Sequence, residues 1–259
     1  MTNASASNLL GSFIWYDQMS NDLPGAEAFY TKAVGWKLLP NTMNDQRYTL
    51  LHAGAATIGG LMPIPDEAKG VRPAWMGYIA VDDVKAYADK VKAAGGTIHR
   101  PPTDIPNVGT FAIAGDPQGA GFLPFTPKAG DGPAPDPDAP GHVGWRELHA
   151  GDGQSALDFY SGLFGWTKTD AMDMGAMGKY LIFGTRSGQS GGVMTKSPDT
   201  PAPMWLYYFN VDAIDAAAER VKAAHGRIVV GPMQVPRNRW MVQGLDPQGA
   251  PFGLLAPTK

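Results

Sequence analysis

The sequence predicts an α+β protein of four βαβββ motifs arranged as two tandem modules. Three observations predict it. The first is repetition at a fixed offset. FYTKAVGW at Phe29 returns as FYSGLFGW at Phe159, VDDVKAYADKVKAAGG at Val81 as VDAIDAAAERVKAAHG at Val211, and GDPQGAGF at Gly115 as LDPQGAPF at Leu245, each 130 positions on. Trp15 and Trp145 keep that offset, as do Trp75 and Trp205. Self-similarity of this kind marks a duplicated structural unit. Gly59-Gly60 and Gly191-Gly192 are 132 apart, so small compensating indels lie between the shared words. The second observation is that strand, helix and further strands recur in the same order within each half. The third is a Pro-, Gly- and Asp-rich run, Lys128 to Pro140, which sustains neither helix nor sheet and reads as a tether. The modules are therefore 8–128 and 141–258, joined by a linker over 129–140.

The elements of the first half follow in order. Phe13 to Met19 alternates as a half-buried strand. A helix comes next: Asn21 or Asp22 is its cap, Pro24 sits in its first turn, and Gly35 ends it. Ala26, Phe29, Tyr30 and Ala33 form its inner stripe. Short strands are expected over Tyr48–His52 and Thr57–Met62, and a new strand begins at Met76. The second helix, Val84 to Ala94, is amphipathic through Val84, Tyr87, Ala88 and Val91 and stops at Gly95-Gly96. Strands at Thr97–His99, Thr110–Ala114 and Gly121–Phe125 complete the half.

Composition narrows the function classes. Net charge is −3 and the isoelectric point is near 5.9, so nothing favours a polyanionic nucleic acid partner. Cysteine is absent, which removes disulfides, thiolate metal sites and cysteine nucleophiles. No apolar run approaches the roughly 20 residues of a membrane span, and MTNASASNLLGSF lacks the basic and apolar regions of a signal peptide. A cytoplasmic protein with no membrane association, monomeric or homodimeric, is expected.

The words themselves resemble a known family. W-[YR]-[DE]-x-x-x-x-D followed by FY and GW, V-D followed by V-K-A-A-[GH]-G, and D-P-Q-G-A-x-F resemble the opening strand and helix, second helix and closing turn of the vicinal oxygen chelate superfamily. This is the glyoxalase, bleomycin-resistance and extradiol-dioxygenase group. The resemblance covers the chain except for linker and termini. It implies glyoxalase-like modules forming cup-shaped mixed sheets, each enclosing a cleft. It also implies a divalent metal held by His, Glu or Gln on the first and last strands of a motif, with positions open for substrate.

The positions that the resemblance assigns to the metal carry other residues. Seven before the helix-opening Asp22 and Asp152 stand Trp15 and Trp145. Six before Asp82 and Asp212 stand Met76 and Leu206, and seven after Asp116 and Asp246 stand Leu123 and Gly253. The last ligand belongs in 56–64 or 190–195, where no His, Asp, Glu or Gln occurs. No cofactor is expected; a divalent metal enters only if its ligands are displaced from these positions. His52, His99, His142 and His225 show no metal-ligand spacing.

Strand alternation lists what lines the clefts instead. If Trp145 points inward, so do Glu147 and His149; in the first half the same positions are Trp15, Asp17 and Met19. The V-D strands add Met76, Tyr78 and Ala80, and Leu206, Tyr208 and Asn210. Large apolar side chains with a few converging polar groups suit a small-molecule pocket. Glu147 beside His149 is a candidate catalytic acid/base pair, although the plainer reading, Glu147 bonded to backbone and His149 packed partly buried, is the favoured one. Arg237, Asn238, Arg239 and Trp240 read as an anion clamp or as a solvated turn. The Pro-rich loops Met62–Pro73 and Thr195–Pro203 are candidate rims. Three functions stay open: a metal-free binding protein for a small, partly apolar or aromatic molecule, an acid/base enzyme using Glu147 and His149, and a metal-dependent lyase or dioxygenase.

Overall fold

A computed structural model describes residues 9–43, 46–128 and 136–259. Of the expected linker 129–140, residues 129–135 lie outside the described residues, and 136–140 form a turn. The first motif is β1 (Phe13–Ser20), α1 (Leu23–Val34), β2 (Lys37–Met43), β3 (Gln46–Ala53) and β4 (Ala56–Pro63). The second is β5 (Ala74–Ala80), α2 (Val84–Ala93), β6 (Thr97–Ile105), β7 (Gly109–Gly115) and β8 (Gly121–Pro127). The third is β9 (Val143–Ala150), α3 (Gly153–Phe164), β10 (Thr167–Asp173), β11 (Lys179–Thr185) and β12 (Gly188–Thr195). The fourth is β13 (Met204–Asn210), α4 (Ile214–Ala223), β14 (Arg227–Val235), β15 (Arg239–Leu245) and β16 (Pro251–Ala256). Each module thus supplies one mixed eight-stranded sheet, ordered β2-β3-β4-β1-β5-β8-β7-β6 in the first and β10-β11-β12-β9-β13-β16-β15-β14 in the second.

Local rules explain most boundaries. Asp22 caps α1 by accepting from the Gly25 N–H, and Gly35 ends it at φ 90°, a conformation that costs glycine nothing. Leu23, Ala26, Phe29, Tyr30 and Ala33 are its buried stripe. In α2, Val84, Ala88 and Val91 are buried, whereas Tyr87 lies at the edge and stacks on Phe164. Strand β2 is absent from the sequence-based expectation. Its stretch, KLLPNTM, mixes polar residues with a proline and carries no clean alternation, and as an edge strand it needs none. Strand β6 runs beyond His99 because Pro101 and Pro102 fall at register irregularities on another edge.

The chain folds into two compact units that do not coincide with the modules. One gathers Met1–Trp15, Met76–Ala134 and Arg146–Trp205, which joins the second motif to the third. The other gathers Tyr16–Trp75, Pro135–Trp145 and Leu206–Lys259, which joins the first motif to the fourth. Inside each unit, the F-Y helix of one module meets the D-P-Q-G turn of the other.

In the unit of motifs one and four, α1 packs against α4. Asp246 Oδ1 accepts the turn N–H groups of Gln248 and Ala250. Its Oδ2 accepts the Tyr30 hydroxyl at 3.1 Å and Gln18 Nε2 at 3.3 Å. The Tyr30 oxygen in turn accepts from Trp75 Nε1 at 2.8 Å. Gln248 clasps the start of α1: its Oε1 accepts from the Ser20 hydroxyl and from the Asn21 and Asp22 N–H groups, and its Nε2 donates to the Asp22 carbonyl. Trp36 Nε1 donates to the Gly141 carbonyl. Around this chain of polar contacts, Phe29 packs edge-to-face on Phe252 and Trp36 edge-to-face on Phe209.

The unit of motifs two and three repeats the design, with α2 packed against α3. Trp205 Nε1 donates to the Tyr160 oxygen at 3.1 Å, and the Tyr160 hydroxyl donates to Asp116 Oδ2 at 3.3 Å. Asp116 Oδ1 accepts from the Gln118 and Ala120 N–H groups. Gln118 accepts from the Asp152 N–H and donates to the Asp152 carbonyl and the Ser155 hydroxyl. Trp166 Nε1 donates to the Gly11 carbonyl, and its ring stacks 4.2 Å from Phe183. Trp75 and Trp205 therefore lie on the helix side of their sheets, as the alternation predicts.

Burial pushes the Asp116 and Asp246 carboxyls above the ordinary aspartate value of 3.8, against the N–H and hydroxyl donors that pull them down. A carboxyl with a raised folded pKa holds its proton more tightly in the fold. Its contribution to stability is therefore full below the unfolded value and is lost as pH rises through the folded one. Tyr160→Phe removes a donor that stabilises the charged carboxylate and leaves Trp205 Nε1 without its acceptor. The expected loss in urea unfolding is about 1–3 kcal/mol at pH 7 and smaller near pH 4, where the carboxyl is increasingly protonated. A loss that is negligible at pH 7, or that shrinks as pH rises, contradicts the role given to Asp116.

Candidate functional site

The face of each sheet turned from the helices carries the residues that alternation assigns to the clefts. In the unit of motifs two and three, Tyr78, Leu123 and Phe125 form a buried apolar cluster. Ile14, Trp15, Met76, Phe111 and Ile113 pack on it and stay partly exposed. Trp15, Met76 and Tyr78, expected together from sequence, do meet here. Leu123 is the register partner of Tyr78, so the closing strand lends an alkyl group where the resemblance implies a ligand.

The same unit holds the polar centre. Glu147 and His149 alternate on β9, and His149 Nε2 lies 2.8 Å from Glu147 Oε1. The Tyr180 hydroxyl donates to the other carboxylate oxygen, Oε2, at 2.8 Å. Tyr180 comes from β11, two strands from β9, with β12 between. Its ring crosses β12 over Gly192: a Cβ there would overlap the Tyr180 ring carbon and hydroxyl. Glycine at 192 is what lets the phenol reach the carboxylate. The neighbouring Gly191 is required on the opposite face, where a Cβ would strike the Arg146 carbonyl and the Phe183 ring. Glu147 is buried, and the His149 side chain is 12% exposed. Trp145 is half-buried two residues before Glu147, and Met194 is the register partner of His149.

The unit of motifs one and four carries the counterpart. The Tyr48 hydroxyl donates to Asp17 Oδ1 at 2.6 Å, with the Tyr48 ring over Gly60. Met19 stands where the other module has His149 and pairs with Met62. In the fourth motif, Leu206 and Tyr208 are buried at 2% exposure. The Tyr208 ring lies over Gly253, and its oxygen accepts from Gln243 Nε2 at 2.7 Å. Asn210 ends its strand and is committed elsewhere: its Nδ2 donates to the Pro137 and Ala139 carbonyls, and its Oδ1 accepts from Arg239. Arg239 also lies 3.6 Å from Asp138, so it fastens the end of the linker.

Sequence reasoning missed Tyr48, Tyr180 and Gln243. A signal for the two tyrosines was present. Tyr48 and Tyr180 share the 132 offset of the glycine pairs, so each stands at one fixed spacing before the second glycine of its pair. Arg146, which replaces Tyr16 at the matching position, is also buried, and its Nη1 donates to the Ser190 carbonyl.

These donors do not make up a divalent-metal set. Glu147 spends both carboxylate oxygens on His149 and Tyr180, Asp17 is engaged by Tyr48, and the remaining family positions present indole, thioether, alkyl and glycine. Among the described residues no three His, Cys, Asp or Glu side chains converge. Also among the described residues, no helix is long and apolar enough to cross a membrane.

Four βαβββ motifs in two mixed sheets define the class: the chain belongs to the Glyoxalase/Bleomycin resistance protein/Dioxygenase superfamily, whose model matches residues 12–122 and 140–254. It is 31% identical over 246 residues to "Putative glyoxylase CFP32" of Mycobacterium tuberculosis (strain CDC 1551 / Oshkosh), covering 94% of each chain. It is 27% identical over 265 residues to the anthracycline biosynthesis protein DauV of Streptomyces sp. (strain C5), covering 95% of this chain and 93% of that one. The fold is also that of the Mn(II)-bound glyoxalase from Novosphingobium aromaticivorans, with TM-score 0.65 at 17% identity over 96% of this chain and 83% of that one.

Gly192→Ala tests how the site is assembled. The added methyl drives Tyr180 off β12, with an expected loss of about 1–3 kcal/mol in denaturant unfolding. Gly162→Ala in α3 is the control, because nothing lies within 4 Å of its Cβ and the helix gains about 0.4–1 kcal/mol. Equal effects of the two variants would remove the packing account.

Proposed function

We propose that this protein binds a small, partly apolar or aromatic molecule on the open sheet faces, without the metal centre of its family. The observation that carries this reading is the cluster around Tyr78 and Leu123, with Trp15, Met76, Phe111 and Ile113 left partly exposed on it. Apolar surface left accessible beside a few fixed polar groups is the make-up of a ligand site. A relative that takes part in anthracycline biosynthesis agrees with an aromatic ligand. The partner is then a small molecule, with neither nucleic acid nor membrane required.

A second reading is favoured by one geometric fact, the 2.8 Å contact between Glu147 and His149. A carboxylate beside an imidazole can hold the ring for proton transfer. In that case the protein is a metal-independent enzyme of the superfamily, and Glu147→Gln or His149→Ala abolishes turnover while the fold is kept.

Binding of 1-methoxynaphthalene, followed by calorimetry, tests the first reading. The affinity is expected to be the same with and without chelator, and to fall about tenfold or more in a Leu123→Asp variant that puts a charge into the apolar cluster. Stoichiometric, tight uptake of manganese, zinc, nickel or iron by the purified protein would overturn the metal-free assignment. Absence of any aromatic binding would overturn the site itself.

A further inference from the structure

We infer that His149 makes the site in the unit of motifs two and three selective for ligands carrying a hydroxyl group, phenols above all, with Nδ1 accepting the ligand hydrogen. The inference rests on the small-molecule reading above and assigns the chemistry of that ligand. It comes from hydrogen-bond bookkeeping. Glu147 Oε2 accepts from the Tyr180 hydroxyl, and Oε1 faces His149 Nε2. An ionised carboxylate has no hydrogen to give, so the hydrogen between Oε1 and Nε2 sits on the ring. In the neutral imidazole the second nitrogen, Nδ1, is then an acceptor. No protein group bonds Nδ1 among the described residues, and the side chain keeps 12% of its surface open. The protein thus fixes the tautomer from one side and leaves a directed acceptor on the other.

Tyr180 is the positioning residue of this arrangement. Its hydroxyl donates to Glu147 Oε2 while Oε1 faces the ring, so it helps to set the carboxylate plane against the imidazole. The supporting glycine shows that the geometry is built: Gly192 exists in a form that admits the Tyr180 ring and no side chain of its own. Beside the imidazole on β12 stands an apolar side chain, Met194, the register partner of His149. A flat ring bearing one O–H group matches an apolar wall with one acceptor. The first module lacks the acceptor: Met19 replaces the histidine while the Asp17–Tyr48 pair is kept. The two modules therefore differ in ligand chemistry at one side chain.

Calorimetry at pH 8 with 1-naphthol, 1-methoxynaphthalene and naphthalene separates the outcomes. Wild type is expected to bind 1-naphthol about tenfold tighter than the two ligands lacking the donor. His149→Met, which installs the first module's residue, and His149→Phe are both expected to bring that ratio to about one, with naphthalene affinity unchanged. Tyr180→Phe is expected to reduce the ratio only in part, again without changing naphthalene binding. Equal affinity for all three probes in wild type overturns the hydroxyl assignment and leaves the apolar site standing. A preference that survives both His149 variants also overturns it. Failure of wild type to bind any of the three overturns both readings.

Discussion

A buried aspartate at a tight turn holds each half of this protein together. Asp116 and Asp246 first close their own D-P-Q-G turns by accepting two N–H groups. Each then reaches a tyrosine from the other module, which is itself held by a tryptophan. The glutamine two residues on clasps the start of that module's helix. Because the chain is duplicated, the exchange is reciprocal, and each module's turn aspartate takes its tyrosine hydroxyl from the other. The cost is visible in the raised carboxyl pKa values, and it is offset by the N–H and hydroxyl donors that the carboxylates accept from. Through the tyrosines, Trp75 and Trp205 pin the helix-facing sides of β5 and β13.

Much of that frame was legible in the sequence. The constant offset gave the duplication, alternation gave the inward sets, and Asp22, Gly35 and Gly95 gave helix ends. The D-P-Q-G word was readable only as a turn. Its second role depends on which module supplies the tyrosine, and no local pattern records a partner more than 200 residues away, as Tyr30 and Asp246 are. Strand β2 was hidden for a different reason. An edge strand needs no buried face, so KLLPNTM shows no alternation to detect. Asn210 shows the limit of strand parity. It sits at a position of the inward set, yet its amide is bound by the linker carbonyls and Arg239, all distant in sequence.

The glycine pairs connect fold and chemistry. Gly60 and Gly192 lie where the family resemblance looks for a ligand, and each is instead the floor beneath a tyrosine. The phenol then takes the carboxylate of the first strand as its partner. A carboxylate satisfied in this way is a poorer metal ligand and a better fixed acceptor. Trp15, Met76 and Leu123, at the other positions the resemblance assigns to ligands, add apolar surface on the same side of the sheet.

Divergence between the modules is concentrated at few positions. The fastening residues Tyr30 and Tyr160, Trp75 and Trp205, Asp246 and Asp116 are identical in pairs, because each supports both modules at once. Positions that face the open side have no such double duty. There Asp17 has become, or derives from, the longer Glu147, whose reach brings an oxygen to the ring of His149, and Met19 offers no ring to meet. One added methylene and one imidazole convert a carboxylate–phenol pair into a three-residue relay. A duplicated frame held by shared, reciprocal contacts can thus change one face without loosening the other, and the Glu147–His149–Tyr180 centre is where this chain has done so.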